Sequence, residues 1–123
     1  MIKRGGAGLK FDNDFFNTEV REGFEISSMM KRAWAAQMEV FQVVSDICNR
    51  NGIRYFADFG TLLGAVRHKG MIPWDDDIDI SLMRDEYNEL IRILPGELPY
   101  GFVVAGMYAD CERCLLYTSD AAD

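Results

Sequence analysis

The residues of this sequence most able to do chemistry are four aspartates within five positions, Asp75-Asp76-Asp77-Ile78-Asp79. Carboxylates a few ångströms apart repel one another, at a cost of about 1–4 kcal/mol for each close pair. A folded chain keeps such a group together if every carboxylate faces water or if a cation lies between them. The sequence favours a divalent cation, Mg²⁺ or Mn²⁺, because hard cations prefer oxygen ligands.

The acidic positions alternate with apolar ones, which predicts a β-strand over residues 75–82. The apolar positions are Ile78, Ile80 and Leu82. Side chains two residues apart on a strand point to the same side, so Asp77 and Asp79 would face a metal ion together. Asp75 would be in phase with them if the strand begins early. We therefore predict Asp77 and Asp79 as catalytic metal ligands and Asp75 as a third ligand.

A second motif, Gly60-Thr61, lies about fifteen residues upstream. It falls between a strand predicted over residues 53–58 and a short helix predicted over residues 62–69. Glycine lets a phosphate approach the backbone, the free N–H groups of a helix start attract an anion, and Thr61 adds a hydroxyl. This predicts a phosphate-binding turn, although an ordinary turn with a helix cap has the same pattern.

Several other polar residues surround these two motifs. Arg67 and Lys69 could neutralise phosphate charge, or could be solvated cations at the end of the short helix. His68 is predicted to be a surface or packing residue rather than a base. Asp58 could face the site or cap the turn, and Trp74 is predicted to pack beside it.

The elements that must position these residues read as a small α+β domain. Apolar residues recur at helical spacing over residues 28–51 and 84–94, and Gly52 and Pro95-Gly96 are typical helix stops. A third strand is predicted over residues 102–107. Residues 1–26 form an N-terminal arm rich in phenylalanine, and Cys48 falls on the apolar side of the first helix. We expect a small mixed sheet flanked by helices.

Charge and composition narrow the class of protein. The 123 residues include 13 Lys and Arg against 20 Asp and Glu, a net charge of −7, which argues against a partner bound through nucleic-acid phosphates. No apolar run approaches the roughly 20 residues of a transmembrane helix, so we predict no transmembrane segment. The expected location is the cytoplasm, with the inner membrane surface as an alternative.

The end of the sequence, Cys114 to Asp123, reads as a translated transposase-adapter sequence from DNA library preparation. We therefore expect residues 114–123 to be an artefact and the domain to be truncated after residue 113. The C-x-x-C of Cys111 and Cys114 would then not be a functional motif. A zinc site would also need two further ligands, and the sequence has one histidine and one other cysteine.

The stretch GTLLGAVRHKG-x-IPWDDDIDI, residues 60–80, resembles the LicD family, and the similarity runs roughly over residues 15–107. The resemblance implies a nucleotidyltransferase-like fold, with residues 27–113 as the N-terminal part of its catalytic domain. It also implies a metal-dependent phosphotransferase that moves a phosphorylated alcohol, typically phosphocholine from CDP-choline, onto a sugar of a cell-surface glycan. On the family pattern Gly60 and Thr61 match the phosphate-binding turn, Asp77 and Asp79 match the metal ligands, and Asp75 matches a further acidic position.

Two alternatives stay open at this point. One is a nucleotidyltransferase that moves a nucleoside monophosphate onto a small molecule at the same metal site. The other is a calcium-binding loop, because six residues fall at the EF-hand ligand spacing, although Ile80 stands where that loop needs glycine. Those six residues are Asp75, Asp77, Asp79, Ser81, Met83 and Glu86.

Overall fold

The computed structural model describes residues 9–104 of the chain. Three α-helices and two separate two-stranded antiparallel sheets confirm the predicted α+β class, although the strands do not join into one mixed sheet. The elements in chain order are a 3₁₀ turn (Asn13–Phe16), β1 (Glu19–Arg21), β2 (Phe24–Ile26), α1 (Ser28–Arg50), β3 (Phe56–Ala57), α2 (Phe59–Leu63), a π-helical turn (Gly64–His68), β4 (Ile80–Ser81) and α3 (Arg84–Glu97).

The long helix α1 forms where the apolar periodicity predicts it. Its first turn is capped by Ser27, whose Oγ accepts a hydrogen bond from the Met30 N–H at 3.1 Å. After the helix, Gly52 adopts the left-handed conformation (φ +65°) that turns the chain away. At 1.5 Å per residue, 23 residues span about 35 Å, so α1 can contact both the main core and the acidic segment.

The main core lies between the C-terminal half of α1 and α3. Cys48 is buried there, as the sequence predicted, and burial raises the pKa of its thiol. The core supplies the packing that fixes α1, since the short sheets cannot stabilise themselves. Its buried members are Val43, Ile47, Cys48, Ile53, Leu90, Leu94 and Val104.

The predictions of strands over residues 53–58 and 75–82 were too long. Within these two segments, only the residues of β3 and β4 pair, with Phe56 opposite Ser81 and Ala57 opposite Ile80. The reason is competition for backbone groups. The N–H of Ile53 bonds to the Cys48 carbonyl and the N–H of Arg54 bonds to the Glu86 carboxylate, so neither can join a ladder.

Two helix boundaries also differ from the prediction. The short helix begins at Phe59 rather than at residue 62, which places Gly60 and Thr61 inside its first turn. Helix α3 runs past Pro95 to Glu97, because the Leu98 N–H still bonds to the Leu94 carbonyl at 2.9 Å. A third strand was predicted over residues 102–107. Of these, residues 102–104 are described, and they do not belong to a strand.

The described part of the N-terminal arm contains ordered elements. Strands β1 and β2 form a hairpin whose two turn residues, Glu22 (φ +50°) and Gly23 (φ +76°), have the positive φ of a type I′ turn. Lys31 of α1 is buried and pairs with Glu19 of β1 at 2.7 Å. The hairpin is thereby fixed to α1.

The predicted domain boundaries at residues 26 and 113 stay predictions. The C-x-x-C and the segment 114–123 lie outside the described residues. Among the helices of residues 9–104, none is long and apolar enough to cross a bilayer.

Candidate functional site

The carboxylates of Asp75, Asp76 and Asp77 converge, with one oxygen from each within 4.8 Å of the others. Oxygens that share one divalent cation at 2.0–2.6 Å lie about 3–5 Å apart, so the three could hold one ion. Within residues 9–104, no lysine or arginine forms an ion pair with any of the three. The acidic triad, as we call Asp75–Asp77, is therefore not neutralised by any cationic side chain in the described part of the chain.

The triad forms because the chain turns here instead of continuing as a strand. The Asp75 N–H bonds to the Ile72 carbonyl at 2.9 Å, which closes a turn through Pro73 and Trp74. The Asp75 carbonyl accepts a hydrogen bond from the indole Nε1 of Trp34 at 2.6 Å. The Asp75 N–H thus closes a turn and its carbonyl bonds to a side chain, so neither group pairs with a neighbouring strand. The alternation of side chains along a strand therefore does not apply, and the carboxylates of neighbouring aspartates can lie on the same side.

Asp76 is therefore a candidate ligand that the sequence analysis missed. The strand interpretation assigned Asp76 to the opposite face from Asp75 and Asp77. The turn signal before it, Ile72-Pro73-Trp74, was the feature that could have revealed it.

Asp79 lies beside the triad rather than within it. Its N–H donates to the Thr61 Oγ1 at 2.7 Å, and its carbonyl accepts from the Asp58 N–H at 3.1 Å. The N-cap and first turn of α2 thus hold both backbone polar groups of Asp79. The predicted joint role of Asp77 and Asp79 as metal ligands stays a prediction.

The electrostatics of the site match a cluster that lacks a counter-charge. Burial raises the pKa of the Asp75 carboxyl, and the neighbouring charges of Asp77 and Asp76 raise it further. Burial also raises the pKa of Asp79, with added repulsion from Asp77, Asp75 and Asp58. A bound cation would lower both pKa values, so the arrangement fits a divalent metal.

The predicted phosphate-binding turn lies directly against the triad. A Cβ built on Gly60 would be 2.3 Å from the Asp75 Oδ2, so the space that glycine leaves open holds a carboxylate. The Thr61 hydroxyl oxygen accepts from Asp79, as described above. A phosphate placed at Gly60 and Thr61 would touch Asp75, and two anions at that distance require a cation between them. Phosphate binding at this turn stays a prediction.

Asp58 performs the capping role that was one of its two predicted roles. Its Oδ1 accepts from the Phe59 N–H at 2.9 Å, and its Oδ2 accepts from the Ser81 hydroxyl. These hydrogen bonds, the Ser81 one first, lower the pKa of Asp58. Phe59, the next residue, has a φ of +47°, which is unusual for a residue with a side chain.

The basic residues of the π-helical turn lie on its exposed end. Arg67 is exposed, and its Nε donates to the His68 Nδ1 at 3.3 Å. Lys69 is exposed and left-handed, with a φ of +57°. Binding of substrate phosphate by Arg67 and Lys69 stays a prediction.

His68 packs, which is one of the two non-catalytic roles that the sequence left open. Its side chain is 5% exposed, its Nε2 lies 3.0 Å from the Glu22 Oε2, and its ring meets Trp74 edge-on at 6.0 Å. Trp74 also meets Phe24 edge-on at 6.1 Å. Both ring nitrogens of His68 are engaged, so this histidine joins the hairpin turn to the loop that leads into the triad.

The structure argues against the calcium-binding loop. Glu86, which would close that loop, pairs with Arg54 at 2.8 Å through one carboxylate oxygen and accepts from the Arg54 N–H through the other. Ser81 belongs to β4 and donates to Asp58. The EF-hand alternative is disfavoured because the Glu86 carboxylate, its closing ligand, is already paired with Arg54.

Comparison with known proteins identifies the segment that holds the site. Residues 52–108 match the LicD family model, described as the LicD/FKTN/FKRP nucleotidyltransferase domain. An uncharacterised protein of Rickettsia typhi is 40% identical over 84 residues, which cover 63% of this chain and 27% of that protein.

Two characterised relatives match over shorter stretches. The lipopolysaccharide cholinephosphotransferase LicD of Haemophilus influenzae is 53% identical over 47 residues, 38% of this chain and 18% of the relative. The human ribitol 5-phosphate transferase FKRP is 37% identical over 51 residues, 42% of this chain and 10% of the relative. No solved structure matches the chain.

The chain thus spans between a tenth and a third of the length of these curated relatives. The turn at Gly60 and Thr61 and the acidic triad both lie inside the segment matched by the family model. The match of residues 52–108 to the LicD/FKTN/FKRP nucleotidyltransferase domain confirms the resemblance that the sequence predicted.

Proposed function

We propose that this chain carries the metal-binding part of a LicD-type phosphotransferase. The whole protein would move a phosphorylated alcohol, such as phosphocholine from CDP-choline, onto a sugar of a cell-surface glycan. The observation that carries the proposal is the acidic triad, which lies against the Gly60 turn and has no cationic side-chain partner among residues 9–104. Carboxylates beside a phosphate-binding turn are the arrangement that metal-assisted attack on an activated phosphate needs.

The two characterised relatives support the kind of group that is transferred. One is named for cholinephosphate transfer and the other for ribitol 5-phosphate transfer. Both groups are alcohols that carry a phosphate. The same chemistry in this protein would break the bond between the transferred phosphate and CMP and form a bond to an acceptor hydroxyl.

The side chains of the site have separable roles in this reaction. Asp77 and Asp79, with Asp75, would hold Mg²⁺ or Mn²⁺, and the geometry adds Asp76 as a ligand. The bound metal would neutralise charge on the donor phosphates. One of these carboxylates would also take the proton of the acceptor hydroxyl. Arg67 and Lys69 would neutralise further phosphate charge.

Metal binding by the chain itself is the first test. Free Mn²⁺ gives an electron paramagnetic resonance signal that disappears on binding, so a titration yields the Kd directly. We expect binding by the wild type and at least about tenfold weaker binding by Asp76→Asn. Asp85→Asn is the matched control, because Asp85 is an exposed aspartate on α3 with no part in the site.

The reaction is tested by product analysis. Incubation with Mn²⁺, CDP-choline and a glycan acceptor should release CMP, detected by chromatography. Release of pyrophosphate from a nucleoside triphosphate, with no CMP from CDP-choline, would instead indicate nucleotidyl transfer. Equal Mn²⁺ affinity in the wild type and Asp76→Asn would contradict the assigned metal centre.

A further inference from the structure

A long-range hydrogen bond connects the middle of the fold to the acidic triad. The indole Nε1 of Trp34 donates to the Asp75 carbonyl at 2.6 Å, across 41 positions of sequence. Trp34 is 2% exposed, so its N–H has no access to water as an alternative partner. The Asp75 carbonyl is half-buried, so loss of this donor would leave an acceptor only partly reached by water, and the bond therefore favours one orientation of the Asp75 peptide.

The indole ring is itself fixed on several sides. Trp34 lies in the first third of α1, whose C-terminal half is anchored in the main core. The guanidinium of Arg21, from β1, lies 5.9 Å from the centre of the Trp34 ring. The donor therefore belongs to a rigid part of the molecule, and the acceptor belongs to a turn.

The orientation of the Asp75 peptide decides where its carboxylate points. The Asp75 Oδ2 lies in the space above Gly60. One carboxylate oxygen of Asp75 also lies within 4.8 Å of a carboxylate oxygen from each of Asp76 and Asp77. Its N–H is fixed by Ile72 and its carbonyl by Trp34, so both peptide units flanking its Cα are held. Without the indole N–H, the peptide after Asp75 is free to rotate.

We propose that Trp34 is a positioning residue of the metal centre, which holds the Asp75 carbonyl so that the three carboxylates of the triad are preorganised for one cation. Trp34 lies outside the segment 52–108 that matches the family model, so the family comparison does not assign it a role. The inference rests on the proposed metal binding by the triad and adds to it a dependence on α1.

The test compares two variants that each remove one hydrogen bond made with α1. Trp34→Phe removes the indole N–H and keeps an aromatic ring. Tyr55→Phe removes the hydroxyl that bonds to Ser45 at 2.7 Å, away from the triad. We expect Trp34→Phe to raise the Kd for Mn²⁺ about tenfold or more and Tyr55→Phe to leave it unchanged. Far-UV circular dichroism checks that each variant is folded.

A measurement on the wild-type chain keeps the inference testable if Trp34→Phe does not fold. The chain has two tryptophans, Trp34 and Trp74, and their indole N–H resonances can be assigned with the variant Trp74→Phe. Titration with diamagnetic Mg²⁺ should shift the Trp34 indole resonance, with a saturation curve that gives the same Kd as the backbone amides of the triad.

The outcomes separate this inference from the proposed function. Wild-type binding of Mn²⁺ with equal affinity in folded Trp34→Phe overturns the role of Trp34 and leaves the metal centre standing. A Trp34 indole resonance that does not move at saturating Mg²⁺ overturns it as well. No Mn²⁺ binding by the wild type overturns both the role of Trp34 and the proposed metal centre.

Discussion

The carboxylate of Asp75 occupies the space that a side chain on Gly60 would fill, since a Cβ there would lie 2.3 Å from the Asp75 Oδ2. Gly60 has been interpreted from the sequence as a place for a phosphate to approach the backbone. The structure shows that the same glycine also makes room for a candidate metal ligand. The absence of a Cβ at position 60 thus serves the acidic triad directly.

Gly60→Ala should weaken metal binding with little effect on stability. The new methyl group would meet the far end of the Asp75 side chain, which can rotate away, and alanine favours the helical conformation of α2. We expect the Kd for Mn²⁺ to rise about tenfold or more and the melting temperature to stay within about 4 °C of the wild type. Calorimetric titration and thermal denaturation measure the two effects.

Gly64→Ala is the matched comparison for that variant. A Cβ on Gly64 would lie 2.4 Å from the Gly70 carbonyl oxygen, which is backbone and cannot rotate away. This variant should lower the melting temperature by several degrees, about 4 °C or more. If Gly60→Ala instead destabilises the fold as much as Gly64→Ala and binds Mn²⁺ normally, the close approach to Asp75 has no role in metal binding.

Asp77→Asn combined with Asp79→Asn should abolish turnover and leave the fold intact. The double variant removes two predicted ligands, so we expect CMP release from CDP-choline to fall by about a hundredfold or more. In the absence of metal, its melting temperature should equal or exceed that of the wild type, because two repelling charges are gone. Asp85→Asn is the control, and normal turnover in the double variant would refute the assignment.

The sequence predicted the long helix well and the backbone around the acidic residues poorly. The position of helix α1 follows from its apolar periodicity, and a serine before its first turn can cap it, as Ser27 does. Both signals are local and can be read from the sequence. The strand predicted over residues 75–82 shrank to β4, because the Asp75 carbonyl and the Asp79 N–H bond to side chains of Trp34 and Thr61. Such long-range partners have no local signature.

The same limitation explains why Asp76 was missed and why Asp58 stayed ambiguous. A turn at Pro73 and Trp74 leads into residues 75–77, and only the fold shows that the three carboxylates then converge. The second oxygen of the Asp58 carboxylate bonds to Ser81, which lies 23 positions later in the chain. The residue types were visible in the sequence, and their partners were not.

The pH dependence of stability should follow from the raised pKa values of Asp75 and Asp79. In the folded state each of these carboxyls keeps its proton at pH values above 3.8, the ordinary pKa of aspartate. Between the ordinary and the raised pKa, the folded state therefore binds more protons than the unfolded state. The resulting stabilisation is fully present below the ordinary pKa and is lost as pH rises through the raised pKa. Asp58, with its lowered pKa, contributes in the opposite sense.

The variant Asp79→Asn isolates one of these carboxyls. Without metal, the melting temperature of the wild type relative to Asp79→Asn should fall as pH rises from about 4 to about 8. With millimolar Mn²⁺ the trend should reverse, because deprotonated carboxylates bind the cation. A difference between the two proteins that is constant with pH, with and without Mn²⁺, would contradict the account of Asp79.

Lys69 offers a variant in which stability and substrate binding should change in opposite directions. Its φ of +57° costs a residue with a Cβ about 1–2 kcal/mol, and glycine avoids that cost at the end of the π-helical turn. Lys69→Gly should therefore raise the free energy of unfolding by up to about 1 kcal/mol, after allowance for the greater freedom of glycine in the unfolded chain. Lys69→Ala keeps the unfavourable φ and should gain nothing.

Both Lys69 variants lose the same positive charge, so both should bind CDP-choline more weakly in the presence of Mn²⁺, by about threefold to tenfold. Isothermal titration measures the affinity, and urea denaturation measures the stability. Arg92→Ala is the control, because Arg92 pairs with Glu89 on the exposed side of α3. Wild-type affinity for CDP-choline in both Lys69 variants would show that Lys69 is a solvated cation at a helix end, and the phosphate contact would then rest on Arg67 alone.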